Sequence, residues 1–244
     1  ENQDQTPHDD RYILIEKAYE DGVFTQCDRH LPGMSRIGET MGFLNAGHIY
    51  GMSALNCKAL SEGMMFGRKL AFEYREFYQN YLKGYEKAEM ICTAPLMGVR
   101  ESRRIVGEYE LTFDDYAARR QFPDQIGVFN KFVDIHEYDS SREAFDQFIK
   151  SMHNERLEFG EYFGLPYGII VPKGSENLWV AGRCASSDVR GQGSVRVMPA
   201  AAVMGQGAGT AAAQSVRTGQ TASGLDTDAL VATLRENGAF LPQE

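Results

Sequence analysis

Several kinds of sequence feature are missing from this chain of 244 residues, and each absence removes a class of protein. No run of basic residues interrupts a composition of 25 lysines and arginines against 34 aspartates and glutamates, which gives a formal charge of −9. This charge argues against nucleic-acid binding. No apolar stretch approaches the roughly 20 residues that a membrane helix needs, and the N-terminal ENQDQTPHDD is unlike a secretion signal. We therefore expect a soluble protein.

Cysteine and histidine patterns typical of metal sites are also missing. Cys27, Cys57, Cys92 and Cys184 form no CxxC pair and have no regular spacing, which fits neither a zinc site nor a disulfide framework. We expect them to be reduced and mostly buried, which favours a cytoplasmic location while leaving the compartment open. The five histidines occur in neither HExxH nor His-x-His, so no metal site is predicted.

Three local signatures of catalysis or nucleotide binding are absent as well. The chain has no GxSxG nucleophile elbow, no P-loop and no GxGxxG. Its hydrophobic content of 43% is nevertheless ordinary for a folded domain. The sequence therefore predicts a globular protein without a recognisable complete dinucleotide-binding unit.

The pattern of apolar residues predicts an α+β fold, a mixed sheet with packed helices. Apolar and aromatic residues including Leu60, Met64, Tyr74 and Tyr78 recur at helical spacing and predict a long helix at about 57–82. A second helix, of small residues, is predicted at 199–217, with proline near its start and glycine after its end. A last helix is expected to be capped by Asp226. An all-small helix must lie very close to a sheet or a flat ligand.

The segments between these helices predict strands, short helices and a loop. Strands are expected in MGFLNAGHIYG, AEMICTAPLMGV, RRIVGEYELT, IGVFNKFVDIHEY, Tyr167–Val171 and 177–183. Asp114 is expected to cap a short helix, and Ser140 with Glu143 suggests a capping box before another. The glycine- and serine-rich SSDVRGQGSVRV is expected to be a loop.

Two segments could carry chemistry on residue type alone. GVRESRRIVGEY gathers Arg100, Arg103 and Arg104, which suits binding of a carboxylate or another anion; a salt-bridged surface edge is the alternative. The glycine-rich loop and helix start from about 182 to 199 could bind an anion or a polarised carbonyl, or could simply be a tight connection. His48 and His136 fit a structural role better than a catalytic one.

Five segments together resemble the bacterial FAD-dependent oxidoreductase family: GVRESRRIVGEYELT, VDIH, LPYGIIVPKGSENLWVAGRCASS, GSVRVMPAAAVMGQGAGTAAA and LDTDAL…LRENGAFL. The similarity runs from about residue 42 to the end. It implies the C-terminal part of a two-domain flavoprotein, glutathione-reductase-like or hydroxylase-like. The expected divisions are an irregular segment at 1–40, a substrate-side domain at 41–165 and part of the FAD-binding domain at 166–244.

The resemblance also implies a cofactor, a partner and site residues. FAD is the expected cofactor, and the missing dinucleotide-binding unit is expected on the same longer polypeptide or on a separate chain. The activity implied is hydride transfer between flavin and a small polar organic substrate, with the chain by itself inactive; a non-catalytic accessory subunit is the alternative. Predicted proton carriers are His136 and Tyr109, and predicted substrate-binding residues are Arg100, Arg103, Arg104 and His48. Predicted flavin contacts are Gly182, Arg183, Ser186, Ser187, Gly193, Ser194, Arg196, Val197 and Met198.

Overall fold

The chain divides into two compact units in the computed structural model, which describes residues 8–31 and 33–242. The first unit comprises residues 1–99 and 136–149, and the second comprises 100–135 and 150–244. Over the described ranges there are seven α-helices, one 3-10 helix and two two-stranded antiparallel sheets. The α+β class is confirmed. The boundaries predicted at residues 40 and 165 delimit a substrate-side domain and part of a flavin-binding domain. The division into compact units does not test these roles, so the boundaries stay a prediction.

The first unit contains two helices and one small sheet. Helix α1 (His8–Glu20) is followed by β1 (Met34–Arg36), which pairs antiparallel with β2 (Gly42–Leu44). Helix α2 (Cys57–Tyr81) confirms the predicted long helix. It begins after Asn56, whose side chain accepts hydrogen bonds from the first backbone N–H groups of the helix. Aromatic residues dominate the core against α1: Ile15, Ala18, Phe24, Leu31, Tyr74, Phe77, Tyr78, Leu82 and Tyr85.

A separate segment, 136–149, returns to complete the first unit. The Arg29 guanidinium donates to the Ser140 carbonyl at 2.9 Å, and Phe148 packs against His30 and His136. Helix α4 (Arg142–Asn154) begins in this segment, and its start differs in detail from the expected capping box. The Ser141 hydroxyl, rather than that of Ser140, accepts from the backbone of the first turn.

The second unit is built around one small sheet and the helix of small residues. Its elements are α3 (Phe113–Ala117), β3 (Gln125–Phe129), β4 (Phe163–Pro166), a 3-10 helix (Tyr167–Ile170), α5 (Val189–Val195), α6 (Met198–Thr218) and α7 (Thr227–Glu236). Strands β3 and β4 pair antiparallel, with Phe129 opposite Phe163. Helix α6 ends at Gly219, whose positive φ of 70° suits glycine, and Asp226 caps α7 as expected.

Helix α6 lies close against β3, which explains its small residues. A Cβ atom added to Gly207 would come within 2.8 Å of Ile126 Cδ1, and Val203 fills the space beside Gly127. The expected contact with a strand at 177–183 is wrong, because no strand forms there. The sequence predicted the close approach correctly and its partner incorrectly.

Several predicted strands are also replaced by other structure. Tyr167–Ile170 is a 3-10 helix, and residues 88–112 make only isolated bridges, Gly107 with Pro172 and Leu111 with Ser187. SSDVRGQGSVRV contains α5 instead of a continuous loop. The physical reason is that an apolar run does not identify a hydrogen-bond partner: Tyr167–Ile170 is buried without pairing as a strand, whereas Ile91 and Leu96 are 78% and 79% exposed.

Two smaller expectations are corrected by side-chain positions. Thr112, rather than Asp114, caps α3, through a capping box with Asp115. All four cysteines are free, yet Cys27, Cys57 and Cys92 are exposed. The expectation of mostly buried cysteines is therefore wrong.

Candidate functional sites

Two predicted site residues, Arg100 and Arg196, meet at one carboxylate in the second unit. Nη2 of Arg196 lies 3.1 Å from Asp134 Oδ2 and donates to the Asp134 carbonyl at 2.9 Å. Nη2 of Arg100 lies 3.3 Å from the same carboxylate oxygen and donates to the same carbonyl at 3.1 Å. Nε2 of the buried Gln192 donates to the Arg100 carbonyl at 3.0 Å. The structure thus joins one predicted substrate residue to one predicted flavin contact.

A third cation, Lys131, gives the surroundings of Asp134 an excess of positive charge. Lys131 Nζ lies 3.9 Å from Asp134 Oδ2. Burial lowers the pKa of Lys131, and the charges of Arg196 and Arg100 lower it further. Burial likewise lowers the pKa of Arg196, with Arg100 adding to the effect. Three cations therefore share one carboxylate, an arrangement that suits an anion.

The other two arginines of the predicted cluster do not join Asp134. Arg104 forms an ion pair with Glu101, and Arg103 is exposed. This part of the segment matches the salt-bridged surface edge that the sequence left as an alternative.

Tyr109 belongs to a polar group around a buried carboxylate. Its hydroxyl donates to both oxygens of Asp115 at 2.9 and 3.0 Å, and Nη1 of Arg120 donates to the same carboxylate at 2.7 Å. Burial raises the pKa of Tyr109, and the hydrogen bond to the Asp115 carboxylate raises it further. The phenol is therefore protonated at neutral pH and acts as a hydrogen-bond donor.

The nine predicted flavin contacts divide by exposure. Five are buried within the protein: Gly182, Ser186, Ser187, Gly193 and Ser194. The hydroxyl of Ser194 donates to the Lys131 carbonyl at 2.6 Å, and a Cβ atom on Gly193 would lie 2.6 Å from Ile135. These two residues hold the loop in place and present no polar side-chain atom to a ligand.

The remaining predicted contacts are three consecutive residues at the start of α6 and Arg183. Arg183 and Met198 are exposed, and Arg196 and Val197 are half-buried. Val197 precedes the helix without a side-chain cap, so the first backbone N–H groups lack the acceptor that a capping side chain provides. A 21-residue helix with an exposed, uncapped start presents partial positive charge there.

Asp28, His48 and His136 form a continuous chain of polar contacts in the first unit. His48 Nδ1 lies 3.0 Å from Asp28 Oδ2, and its Nε2 lies 2.6 Å from His136 Nδ1. The backbone N–H groups of His48 and His30 also donate to Asp28, at 2.8 and 3.0 Å. Asp28 was not predicted, because no local motif links it to histidines that are distant in sequence.

A second carboxylate lies beside this chain. Ligand atoms of Asp28, His48 and Glu137 all lie within 4.8 Å of one another, which is close enough to hold a metal ion. The Tyr50 hydroxyl lies 3.4 Å from His48 Nδ1, and its ring packs against His48. The predicted site residues thus fall in both units.

Comparison with known proteins identifies the family. A family model described as FAD dependent oxidoreductase matches residues 3–234, so the chain belongs to this family of flavoproteins. No curated protein and no solved structure matches significantly. Among the helices that the structure describes, none combines the length and apolar composition needed to cross a bilayer.

The start of α6 has the chemistry to hold the ring of FAD. Its uncapped N–H groups and the exposed Arg183 can bind the electron-rich pyrimidine edge of an isoalloxazine. The nearby Gly182 has a φ of +86°, and a Cβ atom there would lie 3.5 Å from that of Ala201 in α6. The loop thereby approaches the helix closely. These residues fit the ring portion of the cofactor, whereas no glycine-rich nucleotide motif is present in the 244 residues.

Proposed function

We propose that this chain contributes the flavin-ring and substrate side of an FAD-dependent oxidoreductase that transfers hydride between flavin and a small polar organic substrate. The observation that carries the proposal is the exposed, uncapped start of α6 in a chain of a flavin-dependent family. FAD, when bound, supplies the redox chemistry. The protein then needs to hold the ring, position the substrate and manage charge and protons.

The role proposed for α6 is electrostatic. Reduction places negative charge on the pyrimidine side of the flavin, and the partial positive charge of a helix start stabilises it. Arg183 is exposed and follows Gly182, whose added Cβ would lie 3.5 Å from that of Ala201 in α6, and in this proposal it adds positive charge. The buried Ser186, Ser187, Gly193 and Ser194 support the loop and do not contact the ring in this proposal.

The proposed substrate contacts retain Arg100 and add its neighbours. Arg100 sits with Arg196 and Lys131 around Asp134, where positive charge exceeds negative charge. We propose that these cations bind a carboxylate or another anionic group of the substrate. Arg103, Arg104 and His48 stay proposed contacts, and His136 and Tyr109 stay proposed proton carriers.

The dinucleotide portion of FAD needs a separate binding unit in this proposal. None of the 244 residues forms a GxGxxG pattern, on which the nucleotide-binding βαβ unit of such enzymes depends. We therefore propose that the ADP half of FAD binds to residues outside this sequence, on the same polypeptide or on a partner.

The role of α6 can be tested with two matched variants. Met198 and Val216 lie near opposite ends of the helix and are each 86% exposed. Met198→Glu places negative charge at the start of α6, and Val216→Glu makes a similar change near its end. We expect Met198→Glu to weaken binding of reduced flavin by about two- to fivefold, because it repels the anionic reduced ring, and Val216→Glu to leave binding unchanged.

Binding is measured by titrating FAD into the full chain and following the quenching of flavin fluorescence, first oxidised and then photoreduced under anaerobic conditions. The loss should be larger for reduced flavin and should shrink at high salt. Equal effects of the two substitutions, or no saturable binding by the unsubstituted protein, would refute the proposed ring site.

A further inference from the structure

Three side chains in the first unit form a set of metal-ligand atoms. Asp28 is buried, and His48 and Glu137 are half-buried. One imidazole nitrogen and two carboxylates lie within 4.8 Å of one another. The closest pair, His48 Nδ1 and Asp28 Oδ2, is 3.0 Å apart, a separation at which both atoms can ligate one ion at bond lengths of about 2.0–2.2 Å.

Within the described ranges, no lysine or arginine forms an ion pair with Asp28 or Glu137, and the only basic side chain paired with Asp28 is His48. The polar contacts of Asp28 come from backbone N–H groups and from the His48 ring. Glu137 Oε2 is buried and makes no hydrogen bond to any described residue. A buried carboxylate oxygen without a partner is costly. A bound cation satisfies this oxygen and also reduces the repulsion between two neighbouring carboxylates.

The surrounding groups hold the ligands in position. Backbone N–H groups of His48 and His30 orient the Asp28 carboxylate. His136 Nδ1 lies 2.6 Å from His48 Nε2. When Nδ1 of His48 binds a metal, its Nε2–H donates to His136, which fixes the ring in the ligating tautomer. Such outer contacts are a regular feature of metal-binding histidines.

We propose that Asp28, His48 and Glu137 bind a divalent transition-metal ion such as Zn²⁺. Mixed nitrogen and oxygen ligands suit this class of ion, and three protein ligands leave a coordination position for water or substrate. The site lies entirely in the first unit and does not rest on flavin binding. Failure of either proposal leaves the other standing.

The test uses the full chain, stripped with a chelator and titrated with Zn²⁺ in a calorimeter. We expect one saturable site, and at a hundredfold excess over Kd a rise in melting temperature of about 5–10 °C. Glu137→Gln removes one ligand charge while preserving size and should weaken binding at least tenfold. Glu143→Gln makes the same chemical change on an exposed residue of α4 and should leave binding unchanged.

Two further measurements separate the site from other causes of metal binding. The metal-free Glu137→Gln protein should melt at or above the temperature of the unsubstituted protein, because the unpaired charge is gone; this result excludes misfolding as the cause of lost binding. Co²⁺ should give the visible absorption of nitrogen and oxygen ligands. A thiolate charge-transfer band, unchanged affinity in Glu137→Gln, or no saturable binding would overturn the proposal.

Discussion

Replacement of Asp115 by asparagine tests whether one buried carboxylate organises the region around α3. Asp115 is only 2% exposed. It accepts hydrogen bonds from the Tyr109 hydroxyl and from both the backbone N–H and hydroxyl of Thr112, at 2.9–3.0 Å. Arg120 also donates to it, at 2.7 Å, but that side chain is 57% exposed and its ion pair contributes little. The internal hydrogen bonds therefore carry most of the stabilisation.

Asp115→Asn keeps the size of the side chain and removes half of its acceptor capacity. It also turns an NH₂ group toward neighbouring donors. Hydrogen bonds to charged groups contribute about 1.5–3 kcal/mol, and a buried donor left unpaired costs about 1–3 kcal/mol. We expect a net loss of about 2–3 kcal/mol, since part of this group can relax toward water. In a chain of this size the melting temperature should fall by about 4–12 °C.

Thermal unfolding followed by circular dichroism measures this change, and Asp114→Asn is the matched control. Asp114 is the exposed neighbour in the same helix, and its substitution should have little effect. Hydrogen exchange of α3 locates the loss. Equal melting temperatures for the two variants would refute the assigned role of Asp115.

The stability difference between the unsubstituted protein and Asp115→Asn should depend on pH, and the sign of this dependence follows from the pKa of Asp115. Burial by itself raises the pKa of Asp115, but hydrogen bonds from Thr112, Tyr109 and Arg120 outweigh it and leave the pKa lowered. A lowered folded-state pKa stabilises the protein above the unfolded value of about 3.9. This contribution is lost as the pH falls through the folded-state pKa. The stability difference between the unsubstituted protein and Asp115→Asn should therefore shrink in acid.

Two further predictions concern α6 and the cofactor. Gly207→Ala should destabilise the protein by about 1–3 kcal/mol, because the new Cβ meets Ile126. Gly209→Ala faces open space and should stabilise the protein by up to about 1 kcal/mol. Chemical denaturation of both variants measures this contrast. The 244-residue chain purified by itself should be colourless, because ring contacts alone hold a flexible dinucleotide too weakly for FAD to survive purification, although an excess of FAD still saturates the site. Stoichiometric flavin absorbance in that preparation would contradict the second prediction.

Helices were the most predictable part of this fold. The helical recurrence of Tyr74 and Tyr78 and the terminal Gly219 located α2 and the end of α6, because periodicity and left-handed backbone leave local marks in a sequence. Strands were harder. The apolar LWVAG segment forms no strand, and its Leu178 is 50% exposed, because hydrophobicity does not identify hydrogen-bond partners.

Some features of the candidate sites could be predicted from the sequence, and others could not. The arginines and the α6 start were recognisable from clustered charge, a proline and small residues. Neither Asp134 as the meeting point of Arg100 and Arg196 nor the contact of Asp28 with His48 could be predicted, because these contacts depend on how loops return in space. Ser194 adds a contact that its type did not predict: its hydroxyl donates to the Lys131 carbonyl.

The interleaved order of the two units has a consequence for synthesis of the protein. His136 follows its partner His48 by 88 positions, and residues 100–135 of the other unit are made in between. At about 5–20 residues per second, a ribosome needs about 4–18 s to produce that interval. Helices form far faster than this. A nascent first unit therefore waits for its closing segment, and Asp28 and His48 spend this interval without the histidine that completes their chain of polar contacts.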